Sequence, residues 1–463
     1  MRYLLLIGLL IGSIICEAQT NNMKRIPIDP NNLPIACNGR QGNHGHFIFP
    51  KARSRNKLLN PAIFEVDFDR NMPPAAIAAF DYAVQILSEN ISSTIPIRIT
   101  VYWEDLGANS LGGAGPSEYV KDFPNGPRGI AFPIALAEKI AQQPINSDRD
   151  PDIFVDLNRN VDWFYDFDNP TSISATQFDF VSVALHELLH GIGFLGFAKV
   201  EARRGSLKSV LLYPDCTGNA CHGPSIYDVY LAHLSESNLC EHFSDPSRAL
   251  GNALTDDNLL LITSSFEEEV NPPKVYAPAP FNLGASIYHL DQTTYEATPN
   301  SLMAPFIGTG EMEHDLGISL NVLYDLGWGS DMPTFTDILS PSIEHIPIRS
   351  IDDKTIGIPI EAIVEDIFST VESVSIELVL NGVQQPTLTS TRIFGDPFRS
   401  NVYTANIELP TPISDTDKLE YRIVAIDDSE RANRRTHPIE GFHTITIEKT
   451  QAATITYLSL IHI

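Results

Sequence analysis

The chain has 463 residues, 43% of them hydrophobic and only 19% charged, which is material for a large core and for two or three domains of about 150 residues each. Acidic residues outnumber basic ones by 58 to 31, for a formal net charge of -27. A surface that negative repels nucleic acid and anionic headgroups, so polyanion binding leaves the set of expected functions.

The first residues, MRYLLLIGLLIGSIICEAQT, set one Arg before an apolar run from Tyr3 to Ile15, with small or tolerated residues at Cys16 and Ala18. This is the pattern of a secretory signal over 1–18, too short to cross about 30 Å of hydrocarbon. A secreted, extracellular protein is expected, with lipid attachment at Cys16 or a periplasmic location as alternatives. No other stretch predicts a transmembrane span. Cleavage there leaves Cys37, Cys216, Cys221 and Cys240. Four cysteines in an oxidising compartment predict two disulfides, with Cys216 and Cys221 as the local pair and Cys37 with Cys240 as the remaining one.

Residues 19–60 are rich in Pro, Asn, Gly and basic side chains without a hydrophobic period, and are expected to be an extended leader or short pro-segment. Regular structure is expected after them: a strand over Ile63–Phe68, a helix over Pro73–Leu87, a strand over Ile95–Trp103, a helix over Leu136–Gln142 and a strand over Asp152–Leu157. From Thr176 the sequence TQFDFVSVALHELLHGIGF predicts one helix, opened by a capping-box variant of Thr176 and Asp179 and closed by Gly191 and Gly193. Residues 198–285 are loop-rich, and a compact segment resumes at Ser286 to end in SLNVLYDLGW at Trp328. Beyond Met332 short alternating strands follow: Ser375–Leu380 before the turn Asn381-Gly382, then Tyr403–Leu409, Tyr421–Ile426 and His443–Ile447. They predict an all-β sandwich over 333–448, immunoglobulin-like or fibronectin-like, with a C-terminal tail at 449–463.

Chemistry concentrates in His186-Glu187-Leu188-Leu189-His190. Residues four apart on a helix share a face, so both imidazoles can chelate one ion, with Glu187 beside it as a general base. A catalytic zinc takes three protein ligands and keeps one open position. The third is sought among His222, His233, His242, His289 and His314, with Glu236 and Glu241 as carboxylate options. His44 and His46 are expected at the surface.

HELLHGIGF resembles the active-site helix of the metzincin zinc peptidases, in which a glycine three residues past the second histidine precedes a third histidine. Here Gly193 fits, but position 196, where the short form has that histidine, is Gly196. The segment SIYHLDQTTYEATPNSLMAPF, followed by DLGW, is similar to the leishmanolysin-like branch, which inserts a segment before the third histidine. It is also similar to exported bacterial proteins of predicted peptidase type with an HELxHGxGF helix. The resemblance implies an α+β zincin-like metallopeptidase domain over 61–332 with 198–285 as the insertion. It further implies His186, His190 and His289 as zinc ligands, Glu187 as catalytic base and Met303 as a structural methionine turn.

The expected function is therefore a secreted zinc endopeptidase that cleaves protein or peptide substrates through a metal-activated water. The alternative is a non-catalytic binding or adhesion protein using the same fold as a scaffold. The resemblance also implies that the strand at Asp152–Asn158 pairs with extended substrate, unless that strand is internal, and that Tyr288 or Tyr295 assists the oxyanion, unless both are packing residues. Cys37 has a second reading as a latency switch that fills the open metal position. Whether calcium binds, and what the sandwich recognises, is left open by the sequence.

Overall fold

The computed structural model describes residues 23–450 except 30–34, 36, 44, 51–59, 209–222, 235–237, 263–270, 331–332, 336, 395–400 and 410–412. The signal sequence, Cys16, Cys216, Cys221, His44, His222 and Glu236 thus lie outside the described residues. The chain is an α+β protein of two compact units, Met1–Thr336 and Asp337–Ile463. Among the described residues no helix is long and apolar enough to cross a membrane.

In the first unit the chain begins with three short strands, β1 (Lys24–Pro27), β2 (Cys37–Arg40) and β3 (Phe47–Ile48). Regular structure therefore starts well before Ile63. These strands have no hydrophobic period of their own. They form because their backbones complete ladders offered by later strands. The expected elements follow: β4 (Phe64–Phe68), α1 (Pro74–Ser88), β5 (Ile97–Glu104), then β6 (Ser110–Pro116), β7 (Glu118–Lys121), β8 (Phe132–Pro133), α2 (Ile134–Ala141) and β9 (Ile153–Asn158). In β5 and β9 inward residues such as Ile97, Ile99, Val101, Ile153, Val155 and Leu157 are buried, as period-two alternation requires.

The central helix, α3 (Phe180–Gly191), starts later than the sequence suggested. Asp179 is itself the N-cap, its carboxylate accepting from the Ser182 amide at 2.7 Å, and Thr176 lies outside in a turn bonded to Ser174. The T-x-x-D spacing imitates a capping box, but an aspartate satisfies an orphan N-terminal amide directly. After the insertion come β10 (Phe306–Gly308), β11 (Met312–Glu313) and α4 (Ser319–Leu323). Past α4 the helix widens and breaks at Gly327, whose φ of 121° only glycine adopts readily.

Six strands make one sheet in the order β10-β2-β6-β9-β5-β4. β4, β5 and β9 run parallel, while β6 is antiparallel to β9. β9 is hydrogen-bonded on both sides, so Asp152–Asn158 is an internal strand and has no free edge for a substrate. β2 pairs antiparallel with β6, Cys37 opposite Gly112. α3 packs across β6 and β9 and against α1, fully buried along its length.

The second unit contains β12 (Ser342–Glu344), β13 (Ser350–Asp352), β14 (Gly357–Glu365), β15 (Val371–Leu380), β16 (Thr391–Phe394), β17 (Asn401–Glu408), β18 (Leu419–Asp427) and β19 (His443–Glu448). One sheet has the order β12-β14-β17-β16; the other is built on β13-β19-β18-β15. Both contribute to a single core, with Ile358, Ile360, Val364 and Ile407 from the first and Ile376, Tyr421, Ile423 and Ile445 from the second. Asn381 and Gly382 both have positive φ after β15, as the tight turn requires.

Candidate metal centre

α3 brings His186 and His190 to one face, and the chain after the insertion brings His289 to meet them. Val275 bridges Leu290, the Tyr276 amide donates to the His289 carbonyl at 2.8 Å, and the Leu290 amide donates to the Met303 carbonyl at 2.7 Å. His289 is thereby fixed from both sides by backbone. All three histidines are fully buried.

Their Nε2 atoms form a nearly equilateral triangle: 3.1 Å between His190 and His186, 3.2 Å between His186 and His289, and 3.3 Å between His190 and His289. Two nitrogens about 2.05 Å from one tetrahedral ion stand about 3.3 Å apart. Each Nδ1 is committed to a backbone carbonyl: His186 to Leu302 at 2.7 Å, His190 to Phe194 at 2.9 Å and His289 to Ala285 at 2.7 Å. A carbonyl accepts only, so each ring carries its proton on Nδ1 and turns the Nε2 lone pair inward. Burial, followed for His190 and His289 by the neighbouring imidazoles, holds these rings below the ordinary histidine range, His186 at about 4. Three converging lone pairs on neutral rings repel one another and are reconciled by a cation. The group could hold a metal ion.

Glu187 is fully buried, and neither carboxylate oxygen has a hydrogen-bond partner among the described residues. Burial, then the charge of Asp156, pushes its pKa well above the usual carboxylate range. A buried carboxyl without partners is costly unless a donor or cation is present when the site works. Space for it comes from Gly112 in β6, where a Cβ would stand 3.3 Å from the Glu187 Cγ and 2.9 Å from the Asp156 carbonyl.

Cys37 is a free, fully buried thiol, not a disulfide partner of Cys240, which is also free and directs its sulfur to the Asp228 carbonyl at 3.7 Å. Cysteine parity paired two residues that the fold anchors to different partners. Instead, Cys37 Sγ, a His186 nitrogen and a Glu187 oxygen lie within 4.8 Å of one another. Burial first, then Glu187 and Glu313, pushes the thiol pKa up.

The surrounding residues explain the departure at position 196. A Cβ on Gly196 would stand 2.5 to 2.6 Å from the Ser225 Oγ and both carboxylate oxygens of Asp228. Asp228 occupies that place, accepting from the Phe197 amide at 2.7 Å and from Tyr288 Oη at 2.9 Å. Tyr288 also bonds the Ala198 amide, and Tyr295 Oη accepts from the Lys274 amide at 3.0 Å. Both tyrosines brace backbone. Gly196→Ala is accordingly expected to lower unfolding free energy by about 1–3 kcal/mol through overpacking, measured by urea denaturation.

Gly193 has a φ of 123° and a Cβ there would stand 3.0 Å from the Pro133 ring. Trp328, buried, donates its indole N–H to the Ile192 carbonyl at 2.9 Å, tying the closing segment to the end of α3. Met303 is fully buried in the turn whose Leu302 carbonyl orients His186. His314 lies elsewhere: its Nε2 meets Asp179 at 2.7 Å and so braces the N-terminus of α3. His233 pairs with Asp256 at 3.3 Å, and His242 packs on Phe243. Glu241 sits in a four-residue helix, Leu239–His242. Sequence reasoning missed Gly112, while its latency alternative had Cys37 beside the metal position. The glycine-rich run SLGGAGP carries the signal for Gly112, because a strand without side chains admits close neighbours.

A family model described as SPBPB7E8-like matches residues 110–200, from the start of β6 to beyond the end of α3. No curated protein matches the chain. Among solved structures, the chain is similar to the sulfane dehydrogenase SoxCD from Paracoccus pantotrophus at 13% identity, covering 20% of this chain and 23% of that one, with a TM-score of 0.16. It is similar to the titin M3 domain at 14% identity, covering 24% of this chain and 98% of that one, with a TM-score of 0.16. It is also similar to the CARDB domain of the PF1109 protein from Pyrococcus furiosus, in complex with di-metal ions, at 14% identity, covering 25% of this chain and 95% of that one, with a TM-score of 0.17. Likenesses this low carry no argument about function or fold.

Proposed function

We propose that this chain is a zinc-dependent endopeptidase of metzincin type, with His186, His190 and His289 as metal ligands and a sandwich of immunoglobulin-like or fibronectin-like kind as its second unit. The observation that carries the reading is the Nε2 triangle beside an unpartnered, buried Glu187. A borderline ion with tetrahedral preference suits three neutral imidazoles, and zinc bound there would supply a Lewis acid for a scissile carbonyl and for acidification of water. Glu187 accepts the proton of the attacking water and delivers it to the leaving amine nitrogen. The backbone carbonyls of Leu302, Phe194 and Ala285 keep the three rings in the tautomer that leaves Nε2 free.

The placement of Cys37 supports a latent form of such an enzyme. Cys37 stands beside His186 and Glu187, where it would serve as a fourth donor and exclude substrate and water. Its segment is clamped: Arg40 pairs with Glu296 at 2.8 Å and Glu311 at 3.4 Å, and the Asn43 amide donates to Glu311 at 2.6 Å. β2 also covers the edge of β6, which on departure of β2 would accept an extended substrate by strand addition.

Cys37→Ser is expected to raise hydrolysis of a casein substrate at least tenfold. Thiol titration gives a readout apart from activity: in the zinc-loaded wild type Cys37 should resist modification, and a chelator should expose it. A thiol equally unreactive after metal removal, with no gain in the serine variant, would refute latency while leaving the metal centre standing.

A further inference from the structure

We propose that Asp337, Asp366 and Asp427 in the second unit form a calcium site. Each offers a carboxylate oxygen, and the three lie within 4.8 Å of one another. Two oxygens on opposite sides of one Ca²⁺ at about 2.3–2.6 Å would stand about 5 Å apart, so a single ion reaches all three.

The carboxylates are held by their own loops. Asp337 Oδ1 accepts from the Leu339 amide at 3.0 Å; Asp366 Oδ1 accepts from the amides of Phe368 at 2.9 Å and Ser369 at 2.7 Å. Asp427, fully buried, accepts through Oδ1 from the Ser429 and Asn433 amides at 3.1 and 2.9 Å, and through Oδ2 from the Asn433 side chain at 2.9 Å.

A second observation points to a ligand. The remaining Oδ2 atoms of Asp337 and Asp366 are buried and accept no hydrogen bond. No ion pair to any of the three carboxylates is found among the described residues. Buried acceptors with neither donor nor cation are rare in folded proteins because each costs its full desolvation. Burial chiefly, with repulsion from the other two carboxylates, lifts Asp337 to about 6. That is the expected behaviour of a carboxylate in a cluster lacking positive charge.

The donor set contains oxygen alone, which selects a hard cation over zinc. The ligands come from three separated segments: Asp337 at the entry to the unit, Asp366 in the turn between β14 and β15, and Asp427 at the end of β18. Such irregular loops suit the flexible coordination of Ca²⁺ better than the strict octahedron of Mg²⁺. Bound calcium would pin the entry segment of the unit to its sheets, without bearing on the histidine centre.

The test is calorimetric titration of Ca²⁺ into the full-length, zinc-loaded chain, paired with thermal melting in Ca²⁺ and in its absence. One equivalent is expected to bind and to raise the melting temperature, with no comparable effect of Mg²⁺ at equal concentration. Asp366→Asn keeps the Oδ1 acceptor for its loop and should weaken binding at least tenfold, and Asp337→Asn should do the same if the first variant does not fold. His289→Ala should leave the calcium effect intact, which separates this site from the proposed zinc centre. Absence of a calcium-dependent shift in the wild type at millimolar Ca²⁺, or full retention of it in the asparagine variants, would overturn the proposal.

Discussion

Glu187→Gln is expected to fold, to retain one zinc per chain, and to lose peptidase activity by about 10² to 10⁴-fold. The amide preserves the side-chain shape beside Gly112 but cannot accept and return a proton. Retention of metal follows from geometry, since none of the three imidazoles leans on Glu187: their Nδ1 atoms are held by Leu302, Phe194 and Ala285. Gln is expected to cost no more here than the native residue, because a carboxyl with two orphaned, buried oxygens already sits far from its solution preference. Near-normal turnover in a zinc-loaded Glu187→Gln, measured in the Cys37→Ser background to remove latency, would assign the base elsewhere.

His289→Ala should have an effect as large by a different route. Removing one of three ligands leaves two imidazoles on one helix, and zinc should be lost on dialysis together with activity. His314→Ala should retain stoichiometric zinc, because its imidazole contacts Asp179 at the far end of α3 and not the metal group. The second variant is expected to lose stability instead, having cut a buried histidine–aspartate contact. Elemental analysis distinguishes the two. Zinc retained in the first and lost in the second would mean that the ion is held by a different set of residues.

The legibility of the sequence varied with how many constraints coincided. In α3 the helical period, the H-E-x-x-H spacing and the glycine exit fall on one segment, so the helix and the shared face of its two histidines could be read together. His289 could be reached only through the resemblance, since its position depends on an insertion whose path no local pattern encodes. β2 and β6 went unread for a physical reason: CNGR and SLGGAGP have almost no strand propensity and exist as strands through pairing with each other and with β9. The pairing of Cys37 with Cys240 was inferred from parity, which carries no distance information. The aspartates of the second unit were invisible because their convergence comes from three loops far apart in the chain.

The most direct test of the central claim is casein hydrolysis by the Cys37→Ser chain with and without a zinc chelator, followed by zinc restoration. The reading advanced here predicts cleavage that the chelator abolishes and stoichiometric zinc restores. A folded, zinc-loaded chain that leaves casein and gelatin intact, or cleavage that persists after complete metal removal, would contradict it.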